Sequence, residues 1–590
     1  MSTPITESDR KRAATKLPDW YPQWANEFGE LYFSGTTNMF ALHGNTHDLV
    51  RSGDADKFVP LPEFVAGQLF GKWDLVLYYD LSTGLRVVAG SDGERQKKMA
   101  SVAATQIGEL KQIGKDPSRV LHVLDYFLQK NVMAEPKDRV SVAVILNHAS
   151  FLARRGKDDI KTSTNLVTLL NWATSPYVKK LNTAFVLIDS GLSDMAERLI
   201  HNPHVATLEI PLPDQDARLA YLQSLTRDRD LSSFSDYGHE ALAKLTAGIS
   251  LTDLRVLVHS TIEGGRRLDA ARFQKLKKTL LERQAGGLLE FIEPEWGLDM
   301  VIGHDAAKQR LKDDAALLAR GLLDSVPMGY LLCGPVGTGK SFLAECAAGT
   351  LGIPCVKLKN FRGGLVGETE SNLEHVLGVL RSMGPVLVFV DEADAMLGSR
   401  KSSGDSGTSS RTFGMIAQQM GDTRYRGKIL WMLATTRPDY LPIDLKRQGR
   451  AEVHMPLFYP TEQKELRQMF LILAKKMGTS LDEDTLPEIQ EEKIGQLSGA
   501  DIEGILGRAW RKSLVQGYDA IQTTYLQEAL DGFIPMAQSA ERQLQMLAAV
   551  IECTDQEFLP QPIQEMITRV GGRNKVQERL TQLKAVVDGS

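Results

Sequence analysis

The chain carries the same order of apolar and polar positions twice. From residue 35 to 212, short apolar runs alternate with helical stretches, and the runs read "MFALHG", "WDLVLYYDL", "VSVAVILN", "TAFVLID" and "ATLEIP". Runs of this length with few polar interruptions predict buried strands of a parallel sheet, with the helices between them covering the sheet. From 213 to 285 the apolar spacing becomes helical throughout, which predicts a helical subdomain.

The second half of the chain repeats this pattern. Residues 286–460 hold the apolar runs "GYLLCG", "CVKLK", "VLVFVD", "ILWMLAT" and "AEVHMPL", and residues 461–535 have helical spacing. A repeat this long is a repeated domain rather than a short solenoid unit. We therefore expect an α/β fold with two tandem modules, each a parallel-sheet core with a helical lid. A helical extension at 1–34 and a helical tail at 536–590 flank them, and "QAGGLL" (284–289) is the expected linker.

A glycine-rich segment, "LLCGPVGTGKSFL", follows the first apolar run of the second module and opens a helix. It fits the pattern G-x-x-x-x-G-K-[ST], in which backbone N–H groups and the helix N-terminus face phosphate oxygens. In this pattern Lys340 reaches the β- and γ-phosphates of a nucleotide, and the Ser341 hydroxyl binds Mg²⁺. The strand–loop–helix setting disfavours the alternative of a merely glycine-rich turn. The predicted nucleotide-binding residues are Gly334, Pro335, Val336, Gly337, Thr338, Gly339, Lys340, Ser341 and Phe342.

Two carboxylates end a later apolar run of the second module. "VLVFVDEADAML" places Asp391 and Glu392 where a buried parallel strand reaches the carboxyl edge of its sheet, the edge at which ligands bind. Asp391 can hold the Mg²⁺ shell, and Glu392 can orient or deprotonate the attacking water. The matching run of the first module, "VAVILNHASFL", has Asn147 and His148 at these positions. The first module therefore keeps the strand and lacks both carboxylates.

Composition and charge narrow the classes of function. The chain has 590 residues, 43% of them hydrophobic, and a formal net charge of −5. It can bury several cores, and it lacks the basic excess that is typical of nucleic-acid binders. No apolar run reaches the ~18 residues of a membrane span. The N-terminus is polar, without the apolar stretch of a secretion signal, and the four cysteines form no CxxC pair. We expect a cytoplasmic protein that does not enter a membrane.

The segment "LATTRPDYLPIDLKRQGR" makes a family resemblance specific. Together with the phosphate loop and the carboxylate strand, it gives residues 290–535 an order that resembles the AAA+ ATPases, in the clade that includes FtsH, katanin, spastin and valosin-containing protein. In that family a polar sensor residue, usually Asn, follows the strand, and the position falls on Thr436 here. A helix then presents two arginines to the neighbouring subunit, where a guanidinium neutralises charge on the γ-phosphate. These positions fall on Arg447 and Arg450.

Two further segments agree with the resemblance. "WGLDMVIGHDAAKQRL" resembles the segment beside the adenine, which implies that Ile302 and Gly303 lie near the base. "SGADIEGI" resembles the lid motif whose small residues, here Gly499 and Ala500, pack near the ribose and adenine. Many relatives grip polypeptide with an aromatic residue in the central pore, but "FRGGLVGETESN" has leucine and valine at that place. The resemblance therefore implies a weaker grip on an extended chain.

The segment "NMFALHGNTHDLV" stands where the first module should have its phosphate loop. It lacks the lysine and the later glycines, so it cannot place an ammonium group on phosphates. "DSGLSDMAERLIHNPHV" has no arginine at the finger positions, since Arg198 lies too early. The first module resembles a degenerate AAA domain that does not hydrolyse ATP, and its place before an active module resembles an AAA group of cyanobacteria and plastids. We expect it to serve as a docking or ring-building platform.

The resemblance implies a Mg²⁺-dependent ATPase that works as a homo-oligomer, a hexameric ring, and remodels or disassembles an unidentified protein client. An alternative is an assembly factor or nucleotide switch that recruits a client without threading it. A third hypothesis, a nucleic-acid remodeller, is disfavoured by the net charge and by the lack of a recognisable DNA-binding motif. Partner-stimulated hydrolysis with loss of the client's fold favours the first hypothesis. ATP-controlled complex formation that leaves the client intact favours the second.

Substitution of Asn147 or His148 by alanine should leave ATP turnover largely intact, because neither side chain takes part in the expected chemistry. The measurement is steady-state phosphate release by each variant and by the unchanged chain. A collapse of turnover in a variant that still folds would contradict a silent first module.

Overall fold

The computed structural model describes residues 17–18, 20–53, 57–89, 92–156, 159–228, 230–265, 267–359, 368–397, 408–481, 483, 486–534 and 540–588. Contacts within the chain divide it into two units. One unit holds residues 1–286 together with 364–383, and the other holds 287–363 together with 384–590.

The first unit contains a mainly parallel sheet with helices around it. Its strands are β1 (Met39–Gly44), β2 (Leu49–Arg51), β3 (Phe58–Pro60), β4 (Leu75–Asp80), β5 (Gly84–Val87), β6 (Val142–Asn147), β7 (Thr183–Ile188) and β8 (Val205–Ile210). Its α-helices from the N-terminal segment are α1 (Gln23–Phe33), α2 (Leu61–Phe64), α3 (Gly93–Gln106), α4 (Leu110–Ile113), α5 (Pro117–Met133), α6 (Ile160–Thr174), α7 (Pro176–Lys179), α8 (Glu197–Ile200), α9 (Gln215–Leu225), α10 (His239–Leu245), α11 (Leu251–Glu263) and α12 (Ala270–Gln284). The main sheet has the order β5-β4-β6-β7-β1-β8, and β2 pairs with β3 apart from it. Neighbouring strands of the main sheet are parallel except β4 and β5.

The central strands of the first unit are buried along their whole length. Every residue of β4 and β7 is buried, and so is every residue of β6 except Asn147 at its end. Strands covered on both faces read as continuous apolar runs rather than as alternating ones. The core includes Trp172, whose ring stacks on Phe185 at a centroid distance of 4.9 Å. Helix α1 packs into the same core through Trp24 and Phe28.

The second half of the chain supplies a second mainly parallel sheet and its helices. The strands are β9 (Leu289–Ile292), β10 (Gly329–Cys333), β11 (Cys355–Leu358), β12 (Val386–Val390), β13 (Ile429–Thr435) and β14 (Val453–Pro456). The α-helices are α13 (Asp305–Ala319), α14 (Lys340–Leu351), α15 (Glu368–Ser382), α16 (Ala393–Leu397), α17 (Thr408–Met420), α18 (Ile443–Lys446), α19 (Gln463–Lys476), α20 (Gly499–Val515), α21 (Thr523–Asp531), α22 (Ala540–Glu552), α23 (Gln561–Val570) and α24 (Arg573–Val587). In the described part of the chain, no helix has both the length and the apolar character needed to cross a membrane.

The two main sheets share one strand order. Read from the antiparallel edge, the first sheet runs β5-β4-β6-β7-β1-β8 and the second runs β9-β11-β12-β13-β10-β14. The five parallel strands correspond one to one along the chain. The antiparallel edge strand differs, because β5 directly follows β4 whereas β9 precedes every other strand of the second sheet. The predicted α/β fold with two tandem modules is confirmed, and the repeat in the sequence is a repeat of the fold.

The C-terminal helices belong to the core of the second unit. Leu544 and Leu547 of α22 and Leu580 of α24 lie in the same hydrophobic cluster as Leu332 of β10. Burial of apolar surface of this kind stabilises by about 25 cal/mol per Å². The residues expected to form a tail are therefore packed on the sheet that carries the phosphate loop.

Helix α15 lies between β11 and β12 in the sequence, yet its contacts group it with the first unit. Glu374 of α15 lies 3.0 Å from Nδ1 of His43, at the end of β1. Glu370 of the same helix pairs with Arg155. The segment 360–367, which holds the leucine and valine at the expected pore position, lies outside the described residues.

A buried carboxylate binds the lid helix α11 of the first unit to the loop after β1. Asp48 is 4% exposed, and its carboxylate accepts from the backbone N–H groups of Leu251 and Thr252, each at 2.8 Å. It also accepts from the Thr252 hydroxyl at 2.9 Å and from the Asn45 amide at 3.0 Å. Unpaired N–H groups at a helix start favour an anion. The chain therefore supplies its own anion at the start of this lid helix.

Asp48→Ala should lower the opening free energy of the α11 amides by about 3 kcal/mol, because several buried donors lose one charged acceptor. Hydrogen exchange at residues 251–256 measures this. Asp214, which accepts from the Ala217 N–H at the start of α9, gives the matched control, and Asp214→Ala should cost about 1 kcal/mol at α9. Equal losses in the two variants would show that Asp48 is an ordinary helix cap.

Candidate nucleotide site

The loop between β10 and α14 has a backbone that requires glycine. Gly334 has a φ of 152°, and a Cβ at this position would lie 2.1 Å from the carbonyl oxygen of Leu457. Gly339 has a φ of 83° and is the N-cap of α14. Residues with a Cβ rarely adopt positive φ. The loop thus ends at a helix N-terminus whose free N–H groups suit a phosphate anion.

Lys340 opens α14, and its ammonium group lies on the loop itself. Nζ donates to the carbonyl oxygens of Gly334 at 2.9 Å and Pro335 at 2.8 Å. Burial lowers the pKa of Lys340 to about 8, because desolvation disfavours the charged form. A phosphate oxygen would be a stronger partner for this ammonium group than a neutral carbonyl. This position fits the phosphate-binding role that the sequence predicts.

The strand end at Asp391 faces the helix start at Ser341. Ser341 Oγ lies 3.3 Å from each carboxylate oxygen of Asp391. A hydroxyl and a carboxylate are the hard oxygen donors that Mg²⁺ prefers. The ammonium group of Lys357, on β11, donates to Asp391 at 2.8 Å, so this carboxylate already attracts a cation. The donor set fits Mg²⁺, and Lys357, which the sequence analysis missed, competes for the same carboxylate.

Glu392 and His148 share an unusual backbone conformation. Their φ angles are 47° and 55°, and both residues are exposed just after a buried strand. Non-glycine residues in this region cost of order 1 kcal/mol. The turn after the strand is therefore the same in both units, and the side chains at its tip differ. The second unit presents a carboxylate there, and the first unit presents an imidazole.

A cavity of about 500 Å³ lies beside the loop. Predicted residues Ile302, Gly499 and Ala500 line it together with residues 337–342. Gly303 lines a smaller neighbouring cavity that also contains Ile302. Residues 334–336, the first part of the loop, are not in the cavity lining. The size is in the range of small-molecule sites in proteins, and the predicted lid and base-side segments meet the phosphate loop around it.

Other side chains in this lining were missed by the sequence analysis. His304, Tyr459, Met469 and Lys476 all border the cavity. Burial, with a smaller contribution from nearby Lys308, lowers the pKa of His304 to about 4, so its imidazole is neutral near pH 7. His304 directly follows Gly303 in the base-side segment, whereas no motif marks Tyr459, Met469 and Lys476, which the fold brings to the cavity from later in the chain.

Contacts on both sides hold the chain at the predicted sensor position, Thr436. Before it, Thr435 donates its hydroxyl to Asp394 at 2.7 Å. After it, Arg437 pairs with Asp439 at 3.0 Å. Thr436 itself is half-buried at the end of β13. Its place at the carboxyl edge of the sheet, one strand from Asp391, fits a residue that orients water.

The two predicted finger arginines are not part of the described cavity lining of their own chain. The Arg447 side chain is 59% exposed, with Nε 3.6 Å from an Asp444 carboxylate oxygen. Arg450 donates to the Asp444 carbonyl at 2.7 Å. The exposed Arg447 guanidinium is available to another molecule, whereas Arg450 is half-buried. The exposure of Arg447 fits an arginine that acts on a neighbouring subunit.

The same sheet edge of the first unit holds a different set of groups. Its cavity of about 570 Å³ is bordered by Thr46, His47, Asp48, Tyr78, Arg86 and Asn147, among others. Asn147 donates its amide to the Tyr78 hydroxyl at 2.9 Å, and the Asp48 carboxylate is bound to the lid helix. No lysine follows β1 as Lys340 follows β10. The frame of a nucleotide site is present here without its phosphate-binding groups.

Known families match each of these parts. Residues 330–459 match the model of the ATPase family associated with various cellular activities (AAA). Residues 14–211 match an AAA+ chaperone, N-terminal Rossmann-like domain, and residues 216–286 match an AAA+ chaperone, second helical domain. The chain is built of AAA+ chaperone-type ATPase domains. This confirms the resemblance found in the sequence. The two chaperone-domain matches, which end at residue 286, lie in the unit without the phosphate loop.

Several curated proteins resemble the chain. The ATP-dependent zinc metalloprotease FtsH 2 of Salinibacter ruber is 31% identical over 249 residues, which are 40% of this chain and 36% of that protein. The uncharacterized AAA domain-containing protein ycf46 of Guillardia theta is 24% identical over 365 residues, covering 60% of this chain and 70% of that protein. The cell division cycle protein 48 homolog of Archaeoglobus fulgidus is 28% identical, covering 51% and 44%. The chain thus spans between 36% and 70% of the length of these relatives.

In this AAA+ chain, Lys357→Met should lower the Mg²⁺ concentration for half-maximal ATP turnover severalfold. The physical reason is that Lys357 both competes with the cation for Asp391 and repels it. The measurement is a Mg²⁺ titration of phosphate release at fixed ATP. Lys359→Met is the matched control, since the Lys359 ammonium lies 3.4 Å from Glu290 rather than beside Asp391. An unchanged or higher Mg²⁺ requirement in Lys357→Met would contradict the competition.

Proposed function

We propose that the second AAA+ module hydrolyses ATP with Mg²⁺, and that the chain works as a hexameric ring that remodels or disassembles a protein client. One observation carries the proposal. Glu392 stands exposed beside Asp391, whose carboxylate lies 3.3 Å from the Ser341 hydroxyl at the start of the phosphate-loop helix. The proposed base, a cation ligand and a phosphate-binding loop therefore share one edge of the sheet. The first module lacks this combination.

Each group at this edge has a role in the proposed reaction. Bound Mg-ATP supplies the γ-phosphate to be transferred and the cation that neutralises it. Ser341 and Asp391 would hold the cation, and Lys340 would exchange its carbonyl partners for phosphate oxygens. Glu392 would orient the attacking water and accept its proton. Thr436 would help to hold that water.

The arginines are the reason for proposing an oligomer. In the AAA+ family that the chain resembles, arginines at these positions neutralise the γ-phosphate in the site of a neighbouring copy, and the Arg447 side chain is 59% exposed. Hydrolysis would then move the helical lid against the sheet and pass the motion to the client. The first module would act as a docking or ring-building platform, since its lid helix is already bound by Asp48.

Two variants test the nucleotide chemistry. Lys340→Ala should abolish ATP binding, because the phosphates lose the Lys340 ammonium group and its positive charge. Glu392→Gln should bind ATP and slow its hydrolysis by at least about a hundredfold, because the amide cannot accept a proton. Isothermal calorimetry and phosphate release at a concentration that permits self-association measure the two effects. Tight ATP binding by Lys340→Ala, or near-normal turnover by Glu392→Gln, would contradict the assigned roles.

Glu392→Gln also gives access to the client, because a slow ATPase holds its ATP-bound assembly. Affinity capture with this variant in ATP, followed by identification of the bound protein, supplies the client for a folding assay. Loss of the client's fold during turnover by the unchanged chain would support remodelling. Complexes that form and dissociate with ATP while the client stays folded would support an assembly factor or switch instead.

A further inference from the structure

One peptide of the phosphate loop is held on both sides by side chains from other segments. The Val336 N–H donates to Oε1 of Gln545 at 3.1 Å, and the Val336 carbonyl accepts from the Tyr459 hydroxyl at 2.9 Å. Gln545 is 3% exposed and lies on α22, 209 residues after Val336. A buried polar group that loses its partner is destabilising. The conformation of this part of the loop therefore depends on where α22 lies.

The same helix also binds the segment that carries the finger arginines. Glu552 follows Gln545 by about two helical turns, which places both on one face of α22. Its carboxylate accepts from Lys446 Nζ at 2.8 Å, and Lys446 directly precedes Arg447. The side chains of Lys446 and Glu552 are only 13% and 17% exposed. Removing one partner of such a pair leaves a poorly hydrated charge.

A third contact on this face reaches the lid. Arg542 lies one turn before Gln545, and its guanidinium is 3.6 Å from Asp501 near the start of the lid helix α20. The same guanidinium lies 5.4 Å from the ring centroid of Tyr459. Asp501 in turn completes a capping box with Ser498. One face of α22 therefore contacts the lid, the phosphate loop and the arginine segment.

Packing leaves α22 little freedom to move at one end alone. Leu544 and Leu547 lie in the core of the second unit. At the C-terminal end of the helix, Arg573 donates to the carbonyl oxygens of Val550 at 3.1 Å and Ile551 at 2.8 Å. These bonds satisfy carbonyls that a helix end leaves without partners. A displacement of α22 near the phosphate loop would therefore also move Glu552.

We propose that α22 couples a subunit's own phosphate loop, through Gln545, to the arginines that the subunit offers its neighbour, through Glu552. This inference rests on the proposed function, because it needs arginines that act between subunits. Gln545 and Glu552 are positioning residues: the first acts through Val336 and the second through Lys446. Nucleotide binding in one subunit then adjusts the arginine segment that completes the next site.

Gln545→Met in the full chain keeps the side-chain volume and removes the acceptor. We expect the Kd for ATP to rise about five- to tenfold while kcat at saturating ATP stays within about twofold, since bound phosphates then order the loop. Hydrogen exchange around Val336 should be faster in the nucleotide-free variant. Gln543→Met, on the exposed side of α22, is the matched control and should change neither quantity. Equal exchange and equal Kd in the two variants would overturn the role of Gln545.

Glu552→Gln removes the charge opposite Lys446 and should leave the Kd for ATP unchanged while kcat falls about tenfold. The effect on the neighbouring subunit is measured as ATP turnover in mixtures of variant and unchanged chains. A chain with Lys340→Ala and Glu552→Gln, added to unchanged chain, should depress turnover by the unchanged subunits more than Lys340→Ala alone does. Lys340→Ala with Glu541→Gln is the matched control, because Glu541 is exposed on α22. Equal depression by the two double variants would overturn the link to the arginines.

Failure of this inference and failure of the proposed function give different results. Absence of phosphate release by the unchanged chain, at a concentration where it self-associates, would overturn the proposed function. Normal release by the unchanged chain, with Gln545→Met and Glu552→Gln matching their controls, would overturn only the coupling through α22.

Discussion

The carboxyl ends of buried parallel strands meet at one edge of a sheet, and the candidate site depends on this constraint. In the second sheet, β10 leads into the phosphate loop, β12 ends before Asp391 and β13 ends before Thr436. These residues are far apart in the sequence, yet Ser341 Oγ and the Asp391 carboxylate lie 3.3 Å apart. Without that approach, Glu392 would be an exposed acid with nothing to act on. The apolar strands thus matter for function because they deliver polar groups to one place.

The first unit obeys the same constraint with different groups. Asp189 follows β7 and accepts from the Ser150 N–H at 2.7 Å, and Thr435 ends β13 and donates to Asp394 at the same distance. Each bond joins a strand end to the turn after the neighbouring strand. The positive φ of His148 belongs to that turn, as does the positive φ of Glu392. The first unit therefore has the same strands and turns without the groups for phosphate chemistry. This fits a unit that contributes its shape and does not hydrolyse ATP.

The sequence predicts the parts of this arrangement that are encoded locally. The buried strands appear as apolar runs, and the phosphate loop appears as a pattern within eight neighbouring positions, so the sequence alone predicts the α/β fold of the two modules. Lys357, Tyr459 and Gln545 could not be found in this way. Each reaches the loop or its metal ligand only through packing between distant segments. The grouping of α15 with the first unit likewise depends on contacts that no local pattern encodes.

The two units also differ in the hydrogen-bond partners of a carboxylate that follows a strand of the main sheet. Asp48 is buried and bonded to two amides, a hydroxyl and an amide side chain of its own unit, so its partners cannot be exchanged without opening the lid. Asp391 accepts from the Ser341 hydroxyl, the Glu392 N–H and the Lys357 ammonium group, and a divalent cation can displace that flexible ammonium group. A carboxylate with fixed partners stabilises one conformation, whereas a carboxylate with exchangeable partners can respond to a ligand. The two units therefore use a carboxylate after a sheet strand differently: Asp48 stabilises one position of the lid helix α11, and Asp391 can exchange the Lys357 ammonium group for a cation.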